Sequence, residues 1–484
     1  MKIAVKYQMF IDGEFLDSSS KETMKVYNPA TEEVISNVPK GTVEDARRAI
    51  DAAALAQKTW AKLPAIERAK YLKNLAKGIR DNTEHLARTI SEEMGKTISL
   101  AEVEVNFTAD YIEYTAEWAR RYEGEIIQSD RQGENIFLFK QPIGVIAGIL
   151  PWNFPFFLIA RKAAPALLTG NTIVLKPSGE SPNNAIEFAK IVEATGIPKG
   201  VINFVTGSGS VIGKELASNP KIGMVSLTGS YNAGAEVMRE AAQNITKVSL
   251  ELGGKAPAIV MDDADIELAV NSIIASRIIN SGQVCNCAER VYVHNDIAEK
   301  FCERITEEMK KVKHGNPLTQ TNIDMGPIIN KNSLDNINSL VQDALAMGAK
   351  LLTGGKRVET IGYHYEPTVL INTNNNMRIM KEEIFGPVLP IATFKDLDEA
   401  IELANDCEYG LTSSIYTQNL DNAMRASNEL NFGETYINRE NFEAIQGFHA
   451  GWKKSGIGGA DGKHGLEEYL QTHVVYLQYN NLKK

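Results

Sequence analysis

A thiol, a carboxylate and a carboxamide stand in local settings that could turn each of them to chemistry. The thiol is Cys285, in NSGQVCNCAER (280–290). Gly282 and Gln283 interrupt a helical, apolar stretch just before it, which predicts a loop-to-helix junction whose backbone N–H groups favour thiolate. A buried core cysteine is the competing reading, and Cys287 is a rival thiol. The carboxylate is Glu251, at the end of the β-prone run in LELGGKAP, where it has to be paired, solvated or functional because burying an isolated charge is costly. Gly253 and Gly254 behind it let the backbone approach something closely. The carboxamide is Asn153 in PWNFP, between two prolines that restrict the turn. It could donate a side-chain N–H to a developing oxyanion, or bond its own turn backbone. In LTGSYNAG (227–234) a strand gives way to a helix at Ser230, flanked by Gly229 and Gly234. Free N–H groups there can hold a pyrophosphate, although a glycine-containing N-cap turn has the same pattern.

These residues have to be positioned by regular elements. VEDARRAIDAAALAQKTW and PAIERAKYLKNLAKGIRDNTEHLARTISEEMG carry apolar residues at three- and four-residue spacing and predict two helices, the second stopped by Gly95. From Gln141 short apolar runs (145–150, 172–177, 202–207, 224–229, 248–254) alternate with helical stretches, the βα pattern of a parallel, doubly wound sheet. Such sheets bind ligands at the carboxyl ends of their strands. A second alternation starts near Ala256, with helices at 266–280, 297–312, 333–347 and from Asp396, and predicts a second α/β domain.

With 484 residues at least two packed domains are expected. A net charge of -10 disfavours sequence-independent binding to nucleic acid or acidic membranes. The longest apolar run, 144–160, is too short to span a bilayer and holds Pro151, Asn153 and Pro155 at its middle. No signal-peptide core opens the chain, the four cysteines offer no disulfide framework, and no CxxC pair suggests zinc, so a metal-free, cytoplasmic protein is expected.

Together PWNFP, LKPS (175–178), LTGS (227–230), LELGGKAP, GQVCNCAER, EEIFGPV (382–388) and KKSGIGG (453–459) resemble the NAD(P)-dependent aldehyde dehydrogenase superfamily, in this order and over essentially the whole chain. AEVEVNFTADYIEYTAEWARRYEGEIIQSDR and INRENFEAIQGFHAGWKKSGIGGADGKHG resemble the branch acting on lactaldehyde and glycolaldehyde. The resemblance implies two Rossmann-like domains and a small β element for oligomerisation. Residues 1–122 and 143–253 would bind NAD(P), 254–452 would form the catalytic domain, and 123–142 with 466–484 would join a dimer or tetramer. It also implies attack by Cys285 on the aldehyde carbon, an oxyanion held by Asn153 and the Cys285 N–H, hydride transfer to nicotinamide, and a thioester hydrolysed with Glu251 as base.

For the cofactor the resemblance implies Leu150, Trp152, Lys176, Ser178, Gly179, Gly209, Thr228, Gly229, Ser230, Leu252, Glu383 and Phe385. Lys176 would reach the adenosine ribose, Ser230 the pyrophosphate and Glu383 the nicotinamide ribose, with Phe385 and Trp152 beside the ring. Gly179 departs from many NAD-preferring relatives, which carry a ribose-binding glutamate there, so NAD is expected with a weakened barrier to NADP. Arg161 and His449 replace aromatics common in relatives and, with Asn286 and Glu443, predict a small hydroxylated aldehyde such as lactaldehyde or glycolaldehyde. An Arg161–Glu443 surface salt bridge would instead leave selectivity untouched. A CoA-acylating relative typically lacks the glutamate, so Glu251 disfavours that reading; a catalytically silent protein of this fold is disfavoured by Asn153, Glu251 and Cys285 occurring together.

Overall fold

The computed structural model describes residues 5–479. The expected oligomerisation segment therefore lies outside the described residues at 480–484, as the expected nucleotide-binding segment does at 1–4.

Two large sheets organise the chain. The first runs Gly456–Ile457, Lys247–Glu251, Ile222–Thr228, Val145–Ile149, Thr172–Lys176, Ile202–Phe204, Met9–Ile11 and Glu14–Leu16. Its five central strands are mutually parallel. Val145–Ile149 and Thr172–Lys176 are buried throughout because helices cover both faces. The chain proceeds in one direction from Val145–Ile149 and in the other from Ile222–Thr228. The crevice between the carboxyl ends of those two strands is thus a topological switch point, where ligands of such sheets bind.

The second sheet runs Lys350–Thr353, Thr368–Ile371, Val388–Phe394, Ala288–His294, Ala256–Val260, Thr412–Tyr416 and Glu434–Ile437. All its neighbours are parallel except the first pair. Gly456–Ile457 crosses back to extend the first sheet through Leu250 and Glu251, which ties the end of the chain to the strand that carries the carboxylate.

Several elements depart from the sequence reading. The expected second helix is two, Ala65–Arg80 and Thr83–Met94, separated at Asp81 and Asn82. Apolar periodicity continues across that gap because both helices pack on the same core, so the pattern alone does not show the break. Gly95 does close the latter, at φ 83°. A three-stranded sheet of Val5–Lys6, Val34–Pro39 and Thr23–Tyr27 precedes the helices, where the apolar pattern predicts no sheet. Glu125–Gln128, Glu134–Pro142 and Leu470–Gln478 form a separate antiparallel sheet. The final strand begins only at Leu470; Gly462–Glu467 is helical, and Leu466 and Tyr469 are buried in the first domain's core. No helix among the described residues is long and apolar enough to cross a membrane.

Candidate active site

Cys285 does not open a helix. The helix Ile266–Ile278 ends before it and strand Ala288–His294 begins after it, so the thiol sits in a loop-to-strand turn without a following helix dipole. The turn is built from backbone that reverses hand: Asn280, Ser281 and Gly282 all have positive φ, at 48°, 58° and 76°. At Gly282 a side chain is also sterically barred, since a Cβ would lie 2.3 Å from the Gly386 carbonyl oxygen. Gln283 braces the loop, accepting from the Ile329 N–H at 2.9 Å and donating to the Asn280 carbonyl at 3.0 Å.

One buried ionic hub fastens this loop to two other motifs. Glu289 accepts from Arg277 at 2.7 Å, from Lys255 at 2.8 Å, and from the backbone N–H groups of Ile384 and Phe385 at 2.8 and 3.2 Å. Arg277 also donates to the carbonyls of Gly282 and Ala288. CAER, GGK and EIF are therefore held as one unit. The LGG glycines show what they approach: a Cβ on Gly253 would meet the Glu383 carboxylate at 2.6 Å, and one on Gly254 the Cys285 carbonyl oxygen at 2.2 Å.

The two neighbouring thiols differ sharply. Cys287 is 1% exposed, donates to the Val284 carbonyl at 2.9 Å, and is pushed up to about 12 by burial. Cys285 is half-buried and faces a cavity of about 520 Å³. Burial raises its pKa too, but His449, which lines the same cavity, pulls the other way.

Asn153 and Glu251 line the same cavity. Asn153 lies in the turn between Val145–Ile149 and helix Phe157–Leu168, whose first N–H groups at Phe156 and Phe157 are capped by buried Glu104 at 2.9 and 3.0 Å. Its Nδ2 donates one hydrogen to the Gln283 carbonyl at 3.0 Å, which leaves the second free. Glu251 accepts from Thr228 Oγ1 at 2.8 Å and has Arg161 Nη1 at 4.0 Å. Burial pushes this carboxyl up, but Arg161, Lys162, His449 and the Thr228 bond together hold it below the usual carboxylate range.

The four polar residues Arg161, Asn286, Glu443 and His449 converge on this cavity. Arg161 is 4% exposed, so its pair with Glu443, at 3.1 Å, is no surface salt bridge. It also forks onto Asp461, bonding it through Nε at 2.9 Å and through Nη2. Asn286 Nδ2 donates to Glu443 at 2.5 Å. His449 Nδ1 is 2.5 Å from Glu434, and Phe107, Phe157 and Phe442 supply an apolar wall. Because removal of one partner strands buried charge, Arg161→Met should destabilise the protein by ~3–5 kcal/mol. A urea melt checks this, and a loss below about 1 kcal/mol would mean that water already screens Asp461 and Glu443.

Away from the thiol the cavity continues past Glu383 and Phe385 to Thr228, Gly229, Ser230 and Leu252. Trp152 and Phe385 meet edge to face with centroids 5.4 Å apart. Glu383 accepts from the Gly254 N–H at 2.9 Å and is pushed up to about 8 by burial and Glu289. Ser230 caps helix Tyr231–Ala241, accepting from the Ala233 N–H, as the sequence predicts. Lys176 ends Thr172–Lys176, and Leu150, Ser178 and Gly179 follow the ends of Val145–Ile149 and Thr172–Lys176, outside the cavity lining but on the same sheet edge. Lys176 is buried, with Nζ 3.1 Å from the Pro177 carbonyl, and burial lowers it to about 8. Gly209 begins a short π-helical turn after Ile202–Phe204.

The sequence profile of the aldehyde dehydrogenase family matches residues 15–475. The chain belongs to the aldehyde dehydrogenase family. It is 63% identical to the lactaldehyde dehydrogenase of Escherichia coli (strain K12) over 478 residues, covering 99% of this chain and all of that protein. It is 40% identical to the D-glyceraldehyde dehydrogenase (NADP(+)) of Thermoplasma acidophilum, with 98% and 96% covered. A crystal structure of the Escherichia coli lactaldehyde dehydrogenase superposes with a TM-score of 0.97 at 63% identity, covering 98% of this chain and 100% of that one.

For an aldehyde dehydrogenase the geometry adds residues that the motifs did not point to. Asp461 stands behind Arg161, Glu434 behind His449, and Glu289 with Arg277 behind the cysteine loop. GADGKHG offered one signal for Asp461, a carboxylate among glycines, where it adopts φ 70°. Glu434 lies on an unremarkable strand and becomes visible only through its contact.

Proposed function

We propose that this protein oxidises a small hydroxylated aldehyde, such as lactaldehyde or glycolaldehyde, to its carboxylic acid with reduction of NAD. The observation that carries this reading is the polar set beside Cys285, buried Arg161, Asn286 and His449 with half-buried Glu443. A cavity built of partnered buried charges favours a hydroxyl that can join its hydrogen bonds, and penalises an alkyl chain that would leave them desolvated. The name of the 63%-identical relative supports the same class.

Cys285 attacks the aldehyde carbon, forming the S–C bond of a thiohemiacetal. The free Nδ2 hydrogen of Asn153 and the Cys285 backbone N–H stabilise its oxyanion. Bound nicotinamide supplies the hydride acceptor. Glu251, held ionised by Arg161 and Lys162, takes a proton from the water that cleaves the resulting thioester.

The dinucleotide fits the carboxyl edge of the first sheet. Ser230 and the free N–H groups of its helix would hold the pyrophosphate, Glu383 the nicotinamide ribose, and Trp152 and Phe385 the ring, with Leu150, Thr228, Gly229 and Leu252 along the wall. Lys176, Ser178, Gly179 and Gly209 would surround the adenosine end. A side chain at Gly179 would meet nothing within 4 Å, while Glu180 is turned to Asn330, 3.0 Å away. NAD is the proposed preference, with NADP admitted. Gly179→Glu should therefore lower kcat/KM with NADP at least about tenfold and leave NAD within about threefold. Initial rates with each cofactor check this; an unchanged NADP rate would remove Gly179 from the ribose site.

Residues 1–122 with 143–253 form the proposed nucleotide-binding domain, and 254–452 the catalytic one. The antiparallel sheet exposes Ile126, Ile127, Phe139, Val474, Tyr476 and Leu477 on one chain. Pairing of that surface with a second copy is the proposed route to a dimer or tetramer. Four free cysteines, one of them the nucleophile, fit a reducing cytoplasm.

An aldehyde panel assayed with NAD and NADP, followed by the absorbance of reduced nicotinamide, tests the whole reading. Lactaldehyde and glycolaldehyde should exceed a long-chain aldehyde by at least about tenfold in kcat/KM. A long-chain preference would overturn the substrate class.

A further inference from the structure

An arginine lining a substrate cavity is the natural partner of a substrate carboxylate, because its planar fork matches two oxygens at once. Here the fork is already closed. Arg161 donates its Nε–H to Asp461 Oδ1 at 2.9 Å and one Nη2 hydrogen to Asp461 Oδ2, so the bidentate face is filled from within the chain. The other Nη2 hydrogen goes to Glu443 Oε1 at 3.1 Å. That leaves Nη1, which faces Glu251 Oε2 at 4.0 Å and has no second free nitrogen beside it to complete a fork. The guanidinium carbon also stands 5.1 Å from the centroid of the Phe157 ring, so an aromatic covers it.

The remaining charges do not restore a free cation. Besides Cys285, the ionisable side chains that line the cavity are Glu104, Arg161, Glu251, Glu383, Glu443 and His449, and no lysine among the described residues lines it. Glu104 is neutralised by Lys96, both side chains fully buried. His449 Nδ1 lies 2.5 Å from Glu434 Oε1, so that pair carries no net positive charge whether or not the ring is protonated. Lys162 is buried behind the lining and donates to Ser226 Oγ at 2.9 Å. Burial pushes Asp461 up. Against burial, however, the surrounding charges hold Glu251 and Glu443 below the usual carboxylate range, and these two alone outnumber the one guanidinium.

We infer that Arg161 is fully occupied by the protein's own carboxylates and that the site consequently refuses aldehydes carrying a carboxylate of their own. With oxidation of small hydroxylated aldehydes at Cys285 as its premise, this narrows the substrate class to uncharged members. What the site still offers is lone pairs. Each oxygen of Glu443 accepts one hydrogen bond, from Arg161 and from Asn286, and has room for another. A hydroxyl can donate there, whereas a carboxylate has nothing to donate and meets like charge at low dielectric. Holding Arg161 in place needs one carboxylate. Three around a single guanidinium leave an excess of negative charge, whose consequence falls on the ligand. Asp461 and Glu443 are thus specificity-determining residues, which act by repulsion and by occupying the cation that a substrate anion would use.

Two aldehydes that differ in charge and in little else, succinic semialdehyde and its methyl ester, are assayed with the full-length protein and saturating NAD. The ester should exceed the acid by at least about a hundredfold in kcat/KM. Each compound is also run as an inhibitor of lactaldehyde oxidation, which reads binding where turnover is slow; the ester should compete and the acid should not. Parity of acid and ester, whether both are taken or both refused, would overturn the inference. Neither compound bears a hydroxyl, so this result is separable from the preference for lactaldehyde over a long-chain aldehyde, on which the underlying reading stands or falls.

Asp461→Asn and Glu443→Gln each keep the shape of the side chain and remove one negative charge. In each variant the ratio of acid to ester in kcat/KM should rise by at least about tenfold, even where both rates fall. A purely structural role would lower both substrates together and leave the ratio where it was, and that result would also overturn the inference. Should one variant fail to fold in a thermal melt, the other reads the same ratio.

Discussion

Cys285→Ala is expected to lower kcat for lactaldehyde oxidation by at least about a thousandfold, while Cys287→Ala stays within about threefold of the parent. The contrast follows from two thiols separated by one residue. Cys285 opens to the cavity that Asn153, Glu251 and Glu383 also line. Cys287 is turned inward, donates to Val284, and is held as a neutral thiol by burial. Without sulfur at 285 no thiohemiacetal forms, and the remaining oxyanion donors have nothing to stabilise. Cys287→Ala removes a single buried atom, which costs stability of ~1 kcal/mol but no reacting group. Steady-state assays of both variants, with thermal melts to show that each is folded, check the pair. Activity retained in Cys285→Ala and lost in Cys287→Ala would reverse the assignment.

Much of this site was legible because its chemistry sits in contiguous words. GQVCNCAER, LELGGKAP and PWNFP each place one reacting side chain among glycines and prolines that constrain it, and all three converge in the structure. The parallel strands were legible for a related reason: strands covered on both faces are unbroken apolar runs. Partners remote in sequence were not legible. Asp461 lies 300 residues from Arg161, and the two meet only because the chain returns to the first sheet through Gly456–Ile457. Glu434 sits in a strand whose alternation carries no sign that its carboxylate turns to a histidine. The expected helix after Cys285 failed for a physical reason too. Gly282 does interrupt the preceding helix, but its positive φ serves a left-handed turn that delivers the chain into a strand rather than into a second helix.

Glu251→Gln should separate acylation from hydrolysis. The substitution keeps the length of the side chain and an oxygen that can still accept from Thr228, so the neighbouring cysteine loop has no reason to move. What it removes is the charge that Arg161 and Lys162 hold in place, and with it the capacity to take a proton from water. A rapid-mixing experiment should then show a burst approaching one reduced nicotinamide per active site, followed by turnover ~10²–10⁴-fold slower than the parent's. Mass spectrometry of the stalled protein should find the acyl group on the peptide bearing Cys285. The pH dependence carries a second check. With its pKa held below the usual carboxylate range, Glu251 is ionised throughout the neutral region, so protonation of this group should slow the parent only at acid pH. A variant with neither burst nor slowed turnover would make Glu251 the ion-pair partner of Arg161 and nothing more, and the base for thioester hydrolysis would have to be sought elsewhere in the cavity. A slow variant without a burst would move the defect to the first half-reaction, where Glu251 would be acting on the thiol rather than on water.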